Sequence, residues 1–548
     1  MSNKKHLTYL LSTIAAVFIL NTVLSKVSIR KDLTKDKRYS VSNTSKEIVS
    51  KITSDIDISI YLTGDIPVDF EVLKKETQYY LEELKDINSF VNFHFVNPQG
   101  REDNLIKQGI TPSKLTIQEE GTVSEKLIFP WATIKKGKLK TNVNLLKSSY
   151  SDTQEAQIKN SIQNLEFAFT EAIYRVTTPK RKKIAILKGN GELTDIYQYD
   201  WLKSLGKNYH LAPFTLDSIA SAPQKTTKEL QAYDLAIITK PEIAFSEKEK
   251  YALDQFTMNG GKSIWLLDMV TAPKDSLMQN GKVLAYQKDL NLTDYLFNYG
   301  VRFNKHLVRD LYAAKITLAV GNIGNKTQFD NFLWDFYPVL KTNNQHVINQ
   351  NLGEIKLEFA NTLDTLNKSI KKTVLLNSSK LTKTMQVPNY VELTSITESK
   401  TPNQYNEGAK ITGVLLEGNL KSAYRNRVKP FKTNHLQSTN NGKMIVIADG
   451  DISTNQISKG KPMELGLDKW TNTYYANKEF LMNSVNYLLD DTGLIELRSK
   501  TITLNTINRP KASQEKVKWQ FINIILPLFL TLLLALINTV IRKKKNVL

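Results

Sequence analysis

The sequence predicts an α/β protein: a body of alternating strands and helices carried between two membrane helices. Two observations place the helices. Leu7 to Leu24 is an uncharged run of 18 residues, and Phe521 to Ile541 is an uncharged run of 21. A bilayer core of about 30 Å takes about 20 apolar residues as helix. The third observation is the stretch between them. It alternates period-2 and helical apolar patterns over roughly 500 residues, room for about two to four domains.

The elements follow in order. In the region 26–178, Ile56, Ile58, Ile60 and Leu62 alternate with Asp57, Ser59 and Tyr61, a strand pattern. Gly64-Asp65-Ile66-Pro67 turns the chain. Leu73, Tyr80, Leu81 and Leu84 give a helical face, and Val91, Phe93 and Phe95 the next strand, stopped by Asn97-Pro98. Strands are expected near Leu115–Gln118 and Lys126–Ile134, then a hairpin at Gly137 and a helix from about Thr153 to Val176. This order is thioredoxin-like in outline.

Thr177-Thr178-Pro179 marks a boundary before a second α/β region, 183–494. Lys183–Leu187, Leu235–Ile238, Ser263–Leu267 and Met444–Ala448 are short apolar runs of the kind that form buried parallel strands. The expected sheet is flavodoxin-like or amidotransferase-like. Ser246-x-x-Glu249 reads as a capping box, and Gly260-Gly261 ends its helix. Leu292, Leu296 and Phe297 give another helical face, ended by Gly300. A helix is expected at Asn477–Leu489. Residues of about 310–440 read as a strand-rich insertion with turns at Asn343-Asn344 and Asn440-Asn441-Gly442. Residues 495–518 read as a polar stalk to the second span, and 542–548 as a basic tail.

Lys and Arg outnumber Asp and Glu by 74 to 54, a net charge of +20. Such a surplus suits anionic surfaces, membrane lipid among them. The cations are not interleaved with aromatics in a stripe, so nucleic acid is not an expected partner. There is no cysteine, which excludes disulfides, thiol nucleophiles, redox CxxC chemistry and cysteine-bound metals. Thr22-Val23-Leu24-Ser25-Lys26 is a poor cleavage site, which favours a retained first anchor over a signal peptide. Arg542, Lys543, Lys544 and Lys545 follow the second span, as expected of a cytoplasmic flank. The expected topology is two-pass in the cytoplasmic membrane, with both termini cytoplasmic and the body periplasmic.

Most chemical motifs fail on inspection. Gly260-Gly261-Lys262-Ser263 lacks the earlier glycine of a phosphate-binding loop, since position 256 is Phe, and it precedes a strand instead of a helix. Gly189-Asn190-Gly191-Glu192 follows a strand but has Thr194 where a dinucleotide fingerprint needs its third glycine. It is either a tight turn or a ligand or partner contact at the carboxyl end of a strand. Asp449-Gly450-Asp451 also follows a strand. Its carboxylates suit an Asx-type turn or, less readily, a cation, and Asp449, Gly450 and Asp451 join the Gly189–Glu192 turn as candidate ligand or partner contacts. The six histidines show no zinc spacing, and no GxSxG elbow is present. No catalytic residue, metal or cofactor is therefore expected. In the second span, Pro527 leaves a carbonyl without its helical donor, and Asn523 and Asn538 are costly in lipid. Asn523 and Pro527 are thus candidate contacts for a partner helix.

Several short segments resemble one family in order and spacing. They are Asp32-Leu33-Thr34 with Lys37-Arg38-Tyr39-Ser40, Tyr61 to Pro67, Gly189 to Glu192, and Tyr299-Gly300-Val301-Arg302-Phe303-Asn304. Leu415-Leu416-Glu417-Gly418 with Ser422 and Asn426-Arg427 follows, then Asp449 to Gly466 and Asn477 to Asp491. The set resembles the GldG family, gliding-motility-associated ABC-transporter auxiliary proteins of Bacteroidetes, annotated by similarity as substrate-binding. The resemblance implies a non-catalytic subunit working with an ABC-2-type permease and a separate ABC ATPase. The central region also resembles a domain of an intraflagellar-transport subunit, which implies a protein-interaction role. The alternative is an envelope adaptor of motility or secretion machinery with no transport substrate of its own. A glycan- or lipid-handling enzyme is the weaker third reading.

Overall fold

The computed structural model describes residues 40–119, 122–147, 153–342, 345–366, 370–500 and 509–545, with Ser12, Thr13, Ala15 and Phe18 before them. The first expected span, 7–24, lies outside the described residues but for those four, as does the turn at Asn343-Asn344.

Ser42 opens the body by capping helix Asn43–Ser50, its side chain accepting from the Ser45 amide. Strand Ile56–Ile60 buries Ile56, Ile58 and Ile60 completely. Helix Val68–Ile87 then packs Phe70, Leu73, Thr77, Leu81 and Leu84 inward. Strand Val91–Phe95 runs parallel to Ile56–Ile60, while Trp131–Lys136 and Leu139–Asn144 add antiparallel strands on its other side. The strand expected at Lys126–Ile134 is in fact two. Thr122–Ile128 pairs with Ser113–Glu119 in a separate hairpin, and Trp131–Lys136 joins the sheet. Pro130, between them, has no amide to continue a ladder. Helix Gln154–Thr177, capped by Thr153, covers this sheet with Ile158, Ile162, Leu165, Phe169, Ile173 and Val176.

The central sheet has ten strands. Its parallel half runs His210–Thr215, Lys183–Lys188, Leu235–Thr239, Lys262–Leu266, Ser438–Ile447. This spatial order, second strand first, is that of the doubly wound flavodoxin-like sheets. Both faces are buried, so the strands read as continuous apolar runs. In Leu235–Thr239, Leu235 and Ile237 enter one core with Trp201, Phe480 and Val485, while Ala236 and Ile238 enter the other with Tyr251, Phe256 and Trp265. The capping box at Ser246 is present with both reciprocal bonds, and its helix ends at Met258. Gly260 follows at φ +95°, and a Cβ on Gly261 would lie 2.4 Å from the Phe256 ring. Helix Thr293–Tyr299 ends at Gly300, but its buried face is Tyr295, Leu296 and Tyr299 after Leu292; Phe297 is exposed.

The segment expected as an insertion is not a separate lobe. Strands Val301–Asp310, Asn361–Thr365, Lys371–Asn377, Thr382–Gln386 and Ile411–Lys421 continue the same sheet in antiparallel fashion. The boundary near 310 therefore falls at the end of a sheet strand. Asn440-Asn441-Gly442 is not a turn but part of strand Ser438–Ile447. Gly442 lies opposite Gly418 beside a register shift, where a Cβ would meet Leu420 at 2.5 Å. A long hairpin, Ala313–Ile323 with Lys326–Leu340, packs its base of Trp334, Phe336 and Tyr337 with Phe359 and Tyr475.

The start of the expected stalk belongs to the body. Leu494 and Leu497 pack on Phe167, and Arg498 is buried. The described part of the compact body ends at Lys500. The remaining unit contains helix Lys516–Lys545, of which Lys516–Thr539 is long and apolar enough to cross a membrane, with a mean hydropathy of 2.4.

Candidate functional site

Open α/β sheets take ligands beyond the carboxyl ends of their parallel strands, where the order reverses. Four loops meet at that edge here, after Lys188, Thr239, Leu266 and Ile447. The Gly189–Glu192 loop is a tight turn. Gly189 and Gly191 sit at φ +114° and +74°, and a Cβ at Gly189 would come within 2.7 Å of the Asp217 carboxylate. The Asn190 carbonyl accepts from the amides of Glu242 and Ile243, both at 2.8 Å, tying this loop to the next. Glu192 Oε2 accepts from the Asn190 amide at 2.8 Å. Its Oε1 and Asn190 Oδ1 are buried without a hydrogen-bond partner. Burial pushes the Glu192 pKa above the ordinary carboxylate range.

The second loop supplies Lys240, which the sequence did not flag. Its backbone is left-handed, at φ +49°. Its Nζ donates to both Asp451 oxygens at 2.6 and 2.7 Å and lies 3.5 Å from Asp268. Burial works against this charge, but the Asp451 and Asp268 carboxylates outweigh it and push the Lys240 pKa up. Asp268 Oδ1 accepts from the Gly450 amide at 2.6 Å. Gly450 is required by this approach, since a Cβ there would lie 2.7 Å from Lys240 Cβ. Asp449 Oδ1 accepts from the amides of Asp451 and Ile452, at 2.7 and 3.1 Å, an Asx turn. Asp449 is fully buried. Burial and the facing Asp268 and Asp451 push its pKa well above the ordinary range.

A third layer comes from the segment between strands Ile355–Lys356 and Asn361–Thr365 and from helix Lys274–Asn280. The Glu358 amide donates to Asp449 Oδ2 at 2.7 Å. The Glu358 carboxylate lies between Lys274 at 2.7 Å and Lys356 at 2.8 Å, and Lys356 reaches Asp468 at 3.5 Å. Burial opposes the Glu358 charge, but the two ammoniums hold its pKa well below the usual carboxylate range. The sequence-predicted Asp449, Gly450 and Asp451 thus join Lys240, Asp268 and Glu358 in one network, while Gly189–Glu192 belongs to the neighbouring turn. Among the described residues no group of three or more His, Asp or Glu side chains is arranged to hold a metal ion. Chemically, the network pins three loops and the covering segment together through alternating charges.

A second assembly joins the two ends of the body. Lys500 Nζ donates to the Ser40 carbonyl and to Glu166 Oε2, both at 2.8 Å. Glu166 Oε1 accepts from the Ser42 amide and the Ser45 hydroxyl, again at 2.8 Å. Burial opposes ionisation of Glu166, but Lys500 and these donors lower its pKa. The chain therefore begins its body and leaves it at one point. Asn523 and Pro527 lie one turn apart within helix Lys516–Lys545. Asn523 is exposed there.

Comparison with known proteins adds the following. Residues 181–484, more than half of the chain, match the family described as ABC-type uncharacterized transport system, an ABC-transporter auxiliary domain. Residues 35–135 match a domain of unknown function, DUF7088. An uncharacterized protein of Borreliella burgdorferi is 20% identical over 496 residues, which is 88% of this chain and 89% of that protein. The solved mmIFT52 N-terminal domain aligns over 57% of this chain and 99% of its own length, with 14% identity and a TM-score of 0.31.

Proposed function

The chain belongs to the ABC-type uncharacterized transport system family, and from that premise we propose that it is a non-catalytic, membrane-attached auxiliary subunit of an ABC transporter. Its partners in this reading are an ABC-2-type permease and a separate ATPase. The observation that carries the reading is the clasp of Lys500, Glu166 and Ser40. It brings together Ser40 and Lys500, where the described part of the body begins and ends. A body held this way at a membrane can present its other surfaces to a neighbouring complex. The paired network at the sheet's carboxyl edge supports a scaffold role, because its charged groups are spent on one another.

In this reading the body lies on the extracytoplasmic side, with both termini cytoplasmic, supported by the basic cluster Arg542–Lys545 after the apolar run. The motif resemblance supports gliding motility as the narrower reading of the process served. The test is a tag at Lys545, gentle solubilisation and identification of what copurifies. Comparable amounts of an ABC-2-type permease and its ATPase support the subunit reading. Envelope machinery without an ATPase would replace it with the adaptor reading. Deletion that leaves gliding intact in a gliding host would remove the narrower reading alone.

A further inference from the structure

Buried oxygens without partners gather where the central sheet reverses its order. Strand Lys183–Lys188 lies between His210–Thr215, the next strand in the chain, and Leu235–Thr239, the one after. The crevice of such a sheet opens between the loops that leave the first and the third of these strands. Those loops begin at Gly189 and Lys240. Four side chains there each carry an oxygen that is buried without a hydrogen-bond partner among the described residues: Asn190 Oδ1, Glu192 Oε1, Gln198 Oε1 and Thr239 Oγ1. The four residues are only 3%, 7%, 0% and 0% exposed. Folded proteins leave few such groups, because each forfeits its hydration and gains nothing in return.

The four are tied around one peptide. The Leu193 amide donates to the Thr239 carbonyl at 3.1 Å, and the Leu193 carbonyl accepts from Gln198 Nε2 at 2.8 Å. Glu192 precedes this peptide, and its Oε2 accepts from the Asn190 amide at 2.8 Å. Gln198 thus spends a donor, and Glu192 its other oxygen, within the loop. What remains is a set of acceptors. Lys188 makes its contacts elsewhere, with Asp195 at 3.0 Å and with the Leu193 carbonyl. Trp201 Nε1 is also buried without a partner. It is a donor, and its indole packs in the apolar core with Ile184, Leu205 and Ile237.

Burial of all four oxygens admits only a small occupant that has shed its water. One carboxylate and three neutral oxygens supply a single negative charge, whereas a calcium site usually takes more carboxylates in a short loop. We propose that these four oxygens bind one monovalent cation, a metal ion or a small ammonium. The cation would give Glu192 the countercharge that burial otherwise denies it, and would fix the first loop of the sheet to the end of strand Leu235–Thr239. The inference does not depend on the auxiliary-subunit reading.

The test is hydrogen exchange of the full chain in detergent at pH 8, in equal concentrations of potassium, sodium, ammonium or choline chloride. Choline is too large for the site and controls for ionic strength. The readout is the protection of the Asn190 and Leu193 amides, which donate to Glu192 and Thr239. A ligand multiplies the closed-to-open ratio by 1 + [L]/Kd, so an ion held at about 10 mM raises protection about 16-fold at about 150 mM. That rise over choline is expected in at least one of the other salts. A response to sodium or potassium identifies a metal ion, and a response to ammonium alone identifies an amine; either supports the site. Glu192→Gln keeps the bond from Asn190 but removes the charge, and should lose the response. In choline this variant should be the better protected, and the ion that acts on the parent should reverse that order. Thr239→Val preserves shape and removes an unpaired hydroxyl. It should keep the parent's protection in choline and lose at least about two-thirds of the ion response. Equal protection of the parent in all four salts would overturn the inference and leave the oxygens to buried water. A full response in Glu192→Gln or in Thr239→Val would overturn it as well.

Discussion

Removing the ammonium of Lys240 tests whether the carboxyl-edge network holds its loops together. Lys240→Met keeps the length of the side chain and deletes the charge. It leaves Asp268, Asp449 and Asp451 facing one another around Gly450 without the cation that now touches Asp451 at 2.6 and 2.7 Å. Breaking a buried ion pair costs about 3–5 kcal/mol, and because Lys240 and Asp451 retain 24% and 20% side-chain exposure, about 2–4 kcal/mol is expected here. Native-state hydrogen exchange reads this locally. The amides of Gly450 and Asp451 donate to Asp268 and Asp449, and their protection should fall by about 30- to 1000-fold at pH 7.5.

The sign of the pH dependence follows from the carboxylates. Burial and mutual repulsion already hold the folded-state pKa values of Asp449 and Asp451 above the unfolded ones, and losing Lys240 removes the charge that opposes this at Asp451, so the folded network takes up protons. Its stability is then fully present below the unfolded pKa and lost as pH rises through the folded one. The penalty in Lys240→Met should therefore shrink between pH 7.5 and pH 5. Combining it with Asp451→Asn should return at least about 1 kcal/mol of coupling. Protection within fivefold of the parent at pH 7.5, or a penalty that does not change with pH, would refute the account.

Other perturbations have equally definite outcomes. Glu192 has a raised folded pKa, so its favourable contribution is lost as pH rises through that value. Glu192→Gln, which can still accept from Asn190, should match the parent near pH 4 and exceed it by about 1 kcal/mol at pH 8 in thermal melts. Glu166 is the opposite case. Its lowered pKa gives stability that is present above the unfolded value and lost as pH falls through the folded one. Glu166→Gln should cost about 2–3 kcal/mol at pH 7 and progressively less in acid, with faster proteolysis near Ser40 and Lys500 as the readout. Gly466 lies at φ +95°, and a Cβ there would sit 2.1 Å from the Tyr475 carbonyl oxygen. Gly466→Ala should destabilise by about 3 kcal/mol or more, seen as a loss of soluble folded chain or a lowered melting temperature.

Local elements were legible because their causes are local. The capping box at Ser246, the glycines after Met258 and Tyr299, and helix Asn477–Leu489 each follow from a few adjacent residues. The four apolar runs of the parallel sheet could be read for the same reason, since burial on both faces writes itself into consecutive residues. Misreadings came where a distant partner decides. Asn440-Asn441-Gly442 has turn composition but lies in a strand because Ile411–Lys421 pairs with it. Phe297 has helical spacing but faces out, because Tyr295 and Tyr299 fill the core beside Trp265. Lys126–Ile134 reads as one strand until Pro130 divides it between two sheets.

The sequence by itself determined the α/β class, the C-terminal apolar run long enough to cross a membrane, and the absence of cysteine chemistry. Each depends on residue type or short-range spacing alone. Only the tertiary structure decided that the strand-rich segment extends the central sheet, that Lys240, Asp268 and Glu358 meet Asp449–Asp451, and that Lys500 closes on Ser40 and Glu166. The last two sets of contacts join residues 91 to 460 positions apart. No periodicity encodes such pairings; they follow from strand order and from the need of each buried charge for a partner.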